Sequence, residues 1–387
     1  MIVHARGRFA ILVALVGISG FSQGMLLPLI AVLLEEQGVS STINGLHATA
    51  LYIGILIVSP FLEPPLRKYG YKPIILFGGV IVFSSLFFFT LWESIWFWFI
   101  LRLLIGIGDN ILHFGTQTWI TTTTPEFKRG RSVAIYGLSF GLGFTVGPLM
   151  TPLAEINQAL PFILSSVLCL LVWSLIFFVR NDFPVSEEEV QVTTTKTTTR
   201  FKGAFKYSWI ALLAPFTYGF LETALHSNFP VYAMRLGHEV TMISFIIPFF
   251  AAGSLISQIP LGMLSDRIGR HKVLIFVLLG GTITFWITTF FEQSIIGLMV
   301  TFAIAGMLVG SLYSLGVSFM TDLLPKSLLP AGNILCGVMF SLGSIAGPLL
   351  GGSFIDLFPN VSFFYIIIGF ISAVLILMII KRPKPIN

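Results

Sequence analysis

The chain is poor in charged residues. Asp, Glu, Lys and Arg make up 10% of its 387 residues, whereas apolar residues make up 55%. A soluble globular domain carries about 25% charged residues, so this chain could not cover the surface of a water-soluble fold. The scarcity of charge excludes a large soluble domain and indicates a protein whose solvent is a lipid bilayer.

Cysteine is scarce as well. Cys169 and Cys336 are the only two, and each lies inside an apolar run. This excludes a disulfide framework and does not support a thiolate metal site. The loop histidines His4, His238 and His271 have no spacing that is typical of metal ligands. We therefore expect no bound metal ion.

Motifs for energy-rich cofactors and for hydrolysis are also missing. No Gly-rich loop ends in Gly-Lys-Ser or Gly-Lys-Thr, so ATP-driven pumping by this chain is not expected. Asp109 and His113 are the residues that most resemble a catalytic pair. No Ser or Cys nucleophile and no third metal ligand stands at a suitable spacing from them. A membrane-embedded enzyme or receptor is therefore a remote alternative. We expect a chain without cofactors that is driven by an ion gradient.

Long apolar runs fill most of the chain. At about 20 residues per span, hydropathy predicts an all-α integral membrane protein with twelve transmembrane helices. The apolar run after Arg8 has no small-residue cleavage site, so we interpret it as a retained first span. The predicted spans lie at residues 9–33, 43–62, 73–91, 95–120, 132–153, 158–179, 208–233, 241–264, 273–291, 294–320, 330–354 and 361–380.

The basic residues predict the orientation of these spans. With the N-terminus inside, 20 of the 22 Lys and Arg residues fall in cytoplasmic segments. Only Arg235 lies outside, and Arg102 lies within a span. The positive-inside rule therefore predicts a multi-pass protein of the cell membrane with both termini cytoplasmic. The net charge of +5 is thus a topology signal, and we expect no nucleic acid partner.

The two halves of the chain resemble each other. At a spacing of 200 residues, nine of 29 positions between 121 and 149 recur, among them Gly137, Gly143 and Pro148. We predict six-helix bundles at residues 1–180 and 208–387, joined by a polar, low-complexity cytoplasmic linker at 181–207. Two such halves can rock against each other around a site at the bilayer midplane.

The turn between the eighth and ninth spans reads GMLSDRIGRHK. Its Gly262, Asp266, Arg267, Gly269 and Arg270 resemble a signature of the major facilitator superfamily, in which Gly, Asp, Arg, Gly and a basic pair fill a cytoplasmic turn. The resemblance implies a twelve-span transporter that works by alternating access. By analogy, the charges of this turn stabilise the state that is closed on the inner side.

The equivalent turn of the first half departs from that signature. It keeps Gly70 but has Arg67 at the position where the family has its Asp. We therefore expect the turn with Asp266 to carry most of the gating.

A second resemblance lies on the fifth span. Gly143, Gly147 and Pro148 resemble the Gly-rich motif of the bacterial drug/proton antiporter branch, although Thr151 and Pro152 replace its final Gly pair. Small residues permit close helix packing, and Gly-Pro introduces a bend. The eleventh span repeats the motif with Gly343, Gly347 and Pro348.

Ionisable residues inside the apolar runs cluster on two spans. Because each costs at least about 2.5 kcal/mol in hydrocarbon, we interpret them as a pathway for substrate and protons. On one helix face, spacings of four and seven bring such residues together. The predicted pathway residues are Arg102, Asp109, His113 and Gln117 on the fourth span, Tyr218, Glu222 and His226 on the seventh, with Gln23 and Tyr313 as additions.

Our leading hypothesis is proton-coupled efflux of small amphipathic or drug-like compounds, in which Asp109 and Glu222 exchange protons. Glu222 is the better candidate for the proton carrier, with Asp109 paired with Arg102 or His113. The alternative is a proton-coupled uptake symporter for a sugar or organic anion, in which Arg102 binds the anionic group. We expect a monomer.

Overall fold

The computed structural model describes residues 5–184 and 197–381. The regular secondary structure over these ranges is entirely helical. The helices are α1 (Ala5–Glu36), α2 (Ser41–Val58), α3 (Glu63–Tyr69), α4 (Tyr71–Phe88), α5 (Ile95–Thr123), α6 (Glu126–Val146), α7 (Leu153–Ile156), α8 (Leu160–Ser174), α9 (Thr197–Arg235), α10 (Val240–Ile268), α11 (Arg270–Thr288), α12 (Ile295–Val309), α13 (Leu312–Leu323), α14 (Leu329–Leu357) and α15 (Phe364–Ile380).

The predicted twelve-span architecture is confirmed. Within the described residues, ten helical stretches are long and apolar enough to cross a membrane, and α15 is a shorter apolar helix. The remaining span is the 39-residue α9, which contains Pro215 and Pro230. Besides Glu222 and His226, α9 contains several Thr, Ser, Lys and Arg residues, which lower its apolar content.

Two spans are less regular than hydropathy predicts. The tenth span is divided, because α12 ends at Val309 and α13 begins at Leu312. In the fifth span, α6 ends at Val146 and a 3₁₀ turn follows over Gly147–Met150. Proline without an N–H and glycine without a Cβ both disfavour a continuous α-helix.

The predicted linker at residues 181–207 is only partly within the described residues. Residues 185–196 lie outside them, and residues 197–207 form the beginning of α9. The second bundle's first helix therefore begins earlier than the apolar run that predicted it.

The chain divides into two compact units. The first unit comprises the described residues up to Ile30 and those from Ala50 to residue 184. The second unit comprises Ala31–Thr49 and the residues from 197 onward. The end of α1 and the beginning of α2 thus pack with helices of the second sequence half.

Repeat-related glycines make repeat-related contacts. Each of the four glycines below has its Cα against a backbone carbonyl of a neighbouring helix, where any larger side chain would collide. The contacts are Gly20 with Phe140 and Gly106 with Leu51 in the first unit, and Gly219 with Phe340 and Gly306 with Phe250 in the second. The partners are 199 or 200 residues apart, so the internal repeat extends to helix packing.

Candidate functional site

In the first unit, a chain of hydrogen bonds surrounds Asp109. The Ser19 hydroxyl donates to Asp109 Oδ1 at 2.7 Å and lies 3.0 Å from His113 Nε2. The other ring nitrogen, His113 Nδ1, lies 2.7 Å from the Tyr136 hydroxyl. Asp109 is 1% exposed, whereas His113 is half-buried. Side chains from α1, α5 and α6 therefore form one hydrogen-bonded chain, which links a buried carboxyl group to a partly accessible imidazole.

A small cavity adjoins Asp109. It has a volume of about 10 Å³, and Ser19, Cys169 and Trp173 also line it, which is about the space that one water molecule needs. Asp109 Oδ2 is buried and has no hydrogen-bond partner among the described residues. Gln23 is a further polar neighbour of this carboxyl group.

The predicted stripe on α5 is not uniformly accessible. Arg102 is fully buried beside Tyr52, and Gln117 at the other end is exposed. Asp109 accepts a hydrogen bond from Ser19, a residue that the sequence did not predict for this site. His113 reaches Asp109 through that hydroxyl.

In the second unit, the predicted residues of α9 do share one face. The Tyr218 hydroxyl donates to Glu222 Oε1 at 2.9 Å, and His226 Nδ1 lies 2.7 Å from the Glu222 carbonyl oxygen. Glu222 is 8% exposed, and His226 is 1% exposed. The i, i+4 spacing that predicted this arrangement also accounts for both contacts.

Tyr218, the hydrogen-bond partner of Glu222, is one of three aromatic rings that lie close together. The ring centroids of Tyr218 and Phe340 are 6.0 Å apart, those of Tyr313 and Phe340 are 5.6 Å apart, and those of Tyr218 and Tyr313 are 6.5 Å apart. Tyr313 is the second residue of α13, just after the break that separates α12 from α13, and it is 37% exposed. Tyr218, Tyr313 and Phe340, called the aromatic trio, therefore form a partly exposed aromatic surface in the second unit, and one member donates a hydrogen bond to Glu222.

The turn with the facilitator signature forms its ion pairs inside the second unit. Arg270 contacts Asp266 at 3.0 Å, and its Nε donates to Asp322 Oδ2 of α13 at 2.7 Å. Gly269 has φ of 97°, a conformation that side chains other than glycine rarely adopt. Arg267 is exposed, and Gly262 lies in open space within α10.

The first-half turn is held differently. Arg67 forms an exposed ion pair with Glu63 one helical turn away. Gly70 has φ of 83° and packs against Asn181 and Asp182, which follow α8 in the chain. Lys72 donates to the carbonyls of Phe177 and Val179. Contacts within the first unit therefore stabilise this turn, although it lacks the Asp of the signature.

The Gly-Pro motifs pack their helices closely. Gly143 and Gly147 of the first unit lie against the backbone of α1, and Gly343 and Gly347 of the second lie against the backbone of α9. The helix is interrupted only in the first copy, at Gly147 and Pro148. In the second copy, α14 continues through Pro348.

Ser19, Tyr136 and Phe340 were missed from the sequence. Serine and aromatic residues are frequent in transmembrane helices, and none of the three has a charge that would mark it. A weak signal exists for Ser19, which lies four residues before Gln23 on the same face of α1.

These features define a polytopic transporter with buried ionisable residues in both units, and sequence comparison supports this class. The Major Facilitator Superfamily model matches residues 12–249 and 212–387. The chain belongs to this superfamily of transporters and is a multi-pass membrane protein that moves small-molecule substrates rather than an enzyme.

Relatives cover nearly the whole chain. The "Uncharacterized MFS-type transporter YfkF" of Bacillus subtilis (strain 168) is 51% identical over 98% of this chain and 97% of its own length. "Multidrug resistance protein 1" of the same strain is 24% identical over 93% of this chain and 92% of its own. A crystal structure of the nucleoside transporter NupG matches with a TM-score of 0.78 at 12% identity, covering 96% of this chain and 98% of that one. This last likeness supports the fold alone.

Proposed function

We propose that this protein is a secondary transporter that exports small amphipathic compounds, with a preference for cations, in exchange for protons. The observation that carries the proposal is the pair of buried carboxyl groups, Asp109 in the first unit and Glu222 in the second, each with a hydroxyl donor within 2.9 Å. Buried carboxyl groups in a membrane are retained where they serve transport.

Proton coupling follows from the surroundings of these carboxyl groups. The donors to their side-chain oxygens include the hydroxyls of Ser19 and Tyr218, which are neutral. Neutral donors permit both the ionised and the protonated carboxyl group, whereas a tight ion pair would favour only the ionised form. We expect one or both carboxyl groups to gain and lose a proton in each cycle, with no cofactor and the proton gradient as the energy source.

The aromatic trio supports a cationic passenger. A cation within about 6 Å of an aromatic ring gains about 0.5–2 kcal/mol from the ring quadrupole. Glu222 accepts a hydrogen bond from Tyr218, one member of the trio, and supplies a negative charge when ionised. The multidrug-resistance relatives give independent support for the export of drug-like compounds.

Transport direction can be tested in everted membrane vesicles with an imposed proton gradient, acid inside. Ethidium, a planar cation, and fluorescein, a planar anion of similar size, serve as matched probes. We expect gradient-dependent accumulation of ethidium and little accumulation of fluorescein. Accumulation of fluorescein alone, or ethidium accumulation only in right-side-out vesicles with acid outside, would favour the uptake symporter instead.

We further propose that both termini face the cytoplasm. The two native cysteines are buried, so labelling of an introduced cysteine has a low background. In intact cells, a membrane-impermeant maleimide should label a Glu93→Cys variant and should label an Arg129→Cys variant only after permeabilisation. The opposite pattern would reverse the orientation.

A further inference from the structure

We propose that Ser19, His113 and Tyr136 form a hydrogen-bonded relay that carries a proton to and from Asp109. The inference deepens the proposed proton coupling and rests on it. Three consecutive contacts of 2.7, 3.0 and 2.7 Å connect Asp109 Oδ1 to the Tyr136 hydroxyl. Each contact joins groups that can exchange donor and acceptor roles, which is the requirement for passing a proton along a chain.

When Asp109 is ionised, the chain has one consistent direction. Tyr136 donates its hydroxyl proton to His113 Nδ1, His113 Nε2 carries the ring proton and donates to Ser19, and Ser19 donates to Asp109 Oδ1. Every heavy atom then has the role that its chemistry allows, with neutral imidazole as donor at one nitrogen and acceptor at the other.

When Asp109 is protonated, every bond of the chain reverses. The carboxyl O–H donates to Ser19, Ser19 donates to His113 Nε2, and the proton on His113 Nδ1 is donated to Tyr136. The Tyr136 hydroxyl then needs another acceptor, and the His113 carbonyl oxygen stands at 3.3 Å. The structure therefore provides hydrogen-bond partners for both protonation states.

Conversion between the two states balances. Ser19 passes its proton to Asp109, His113 Nε2 passes its proton to Ser19, and Tyr136 passes its proton to His113 Nδ1. A hydronium ion, which becomes water, gives one proton to restore the hydroxyl of Tyr136, a residue that is 7% exposed. The net change is one proton bound at Asp109, and Ser19, His113 and Tyr136 are all neutral before and after.

The surroundings hold the imidazole in place. The His113 ring packs edge-on against Tyr136 and Phe140, with centroids 6.0 and 5.1 Å apart. Other polar or titratable groups near the relay are Gln23 on α1, Cys169 on α8, Arg102 two turns away on α5, and Thr116, whose hydroxyl lies 3.3 Å from that of Tyr136.

Ser19 is the residue that distinguishes a relay from a static scaffold. Its hydroxyl hydrogen-bonds to both Asp109 and His113. Ser22 is a matched control, because it is also buried on α1 and donates only to the Ser19 backbone carbonyl, at 3.0 Å. Removing the Ser22 hydroxyl leaves the chain to Asp109 intact.

The test is time-resolved infrared spectroscopy of the purified full-length protein after a pH jump, which needs no substrate. The carboxyl band of Asp109 is assigned by its loss in Asp109→Asn. We expect Ser19→Ala and Tyr136→Phe to slow the appearance of this band by about tenfold or more. Ser19→Thr, which retains the hydroxyl, and Ser22→Ala should remain within about twofold of the wild-type rate.

A wild-type rate in Ser19→Ala would overturn the relay and leave the proposed function standing. Slowed exchange in Ser19→Ala, together with a solvent deuterium isotope effect that is lost in that variant, would support the relay. If exchange slows as expected but a proton gradient drives no solute, the relay stands and the proposed function fails. Thermal unfolding of each variant verifies that the fold is retained.

Discussion

At the scale of single residues, the most informative feature is the placement of Asp109 and Glu222 in apolar helices. Both could be predicted from the sequence, because ionisable residues are rare in apolar runs and their rarity is itself the signal. Ser19 and Tyr136 could not be predicted as partners of Asp109. Their hydroxyls are ordinary in membrane helices, and the contacts join α1, α5 and α6, which only the tertiary structure brings together.

Gly269 offers a residue-scale prediction about stability. Its φ of 97° disfavours any side chain, so Gly269→Ala should destabilise the protein by about 1–3 kcal/mol. Gly262→Ala is the matched control, because Gly262 lies seven residues earlier inside α10 with open space around it. That substitution should be neutral or stabilising by up to about 1 kcal/mol.

Thermal unfolding in detergent, followed by tryptophan fluorescence, measures the difference between these two variants. We expect a lower midpoint for Gly269→Ala than for Gly262→Ala. Equal midpoints would show that the turn tolerates a side chain at position 269, which would contradict this prediction.

At the scale of helices, hydropathy predicted every span but not their irregularities. A window of about 20 residues averages over the two-residue break between Val309 and Leu312, since most of the flanking residues are apolar. The small, polar pair Gly310 and Ser311 is the only local sign of it. The early beginning of α9 was missed for the converse reason, because its first turns are polar and resemble a linker.

The beginning of α2 has a helix cap from a distant element. Asp356, near the end of α14, accepts hydrogen bonds from the backbone N–H groups of Ser41 and Thr42 at 3.1 and 2.8 Å. Arg235, which also pairs with Glu35, lies 3.5 Å from the same carboxylate. An anionic acceptor at a helix N-terminus satisfies N–H groups that have no partner within the helix.

Asp356→Ala should therefore loosen the first turn of α2 by about 1 kcal/mol. Hydrogen–deuterium exchange of the peptide that contains residues 41–46 measures this directly, and we expect faster exchange there. Glu239→Ala is the control, because Glu239 precedes α10 as its N-cap residue and makes no side-chain cap bond. Unchanged exchange at residues 41–46 in Asp356→Ala would contradict the capping role.

At the scale of the whole molecule, the internal repeat predicted the fold well. The matched positions in the two sequence halves make equivalent glycine contacts in the two units, and the superfamily assignment agrees with the facilitator signature. Residues 31–49 pack with the second unit, which was not predictable. Neither periodicity nor hydropathy indicates which neighbouring helices a loop and the adjacent helix ends contact.

The central claim is that buried carboxyl groups couple proton movement to export. The most direct test measures ethidium transport by proteoliposomes containing the wild type, Asp109→Asn, Glu222→Gln or Glu155→Gln, over a series of imposed pH gradients. Glu155 is an exposed carboxylate, so its variant should behave as wild type. We predict that Asp109→Asn or Glu222→Gln lowers gradient-driven transport at least about tenfold and removes its pH dependence, whereas wild-type rates and pH dependence in both variants would contradict the account.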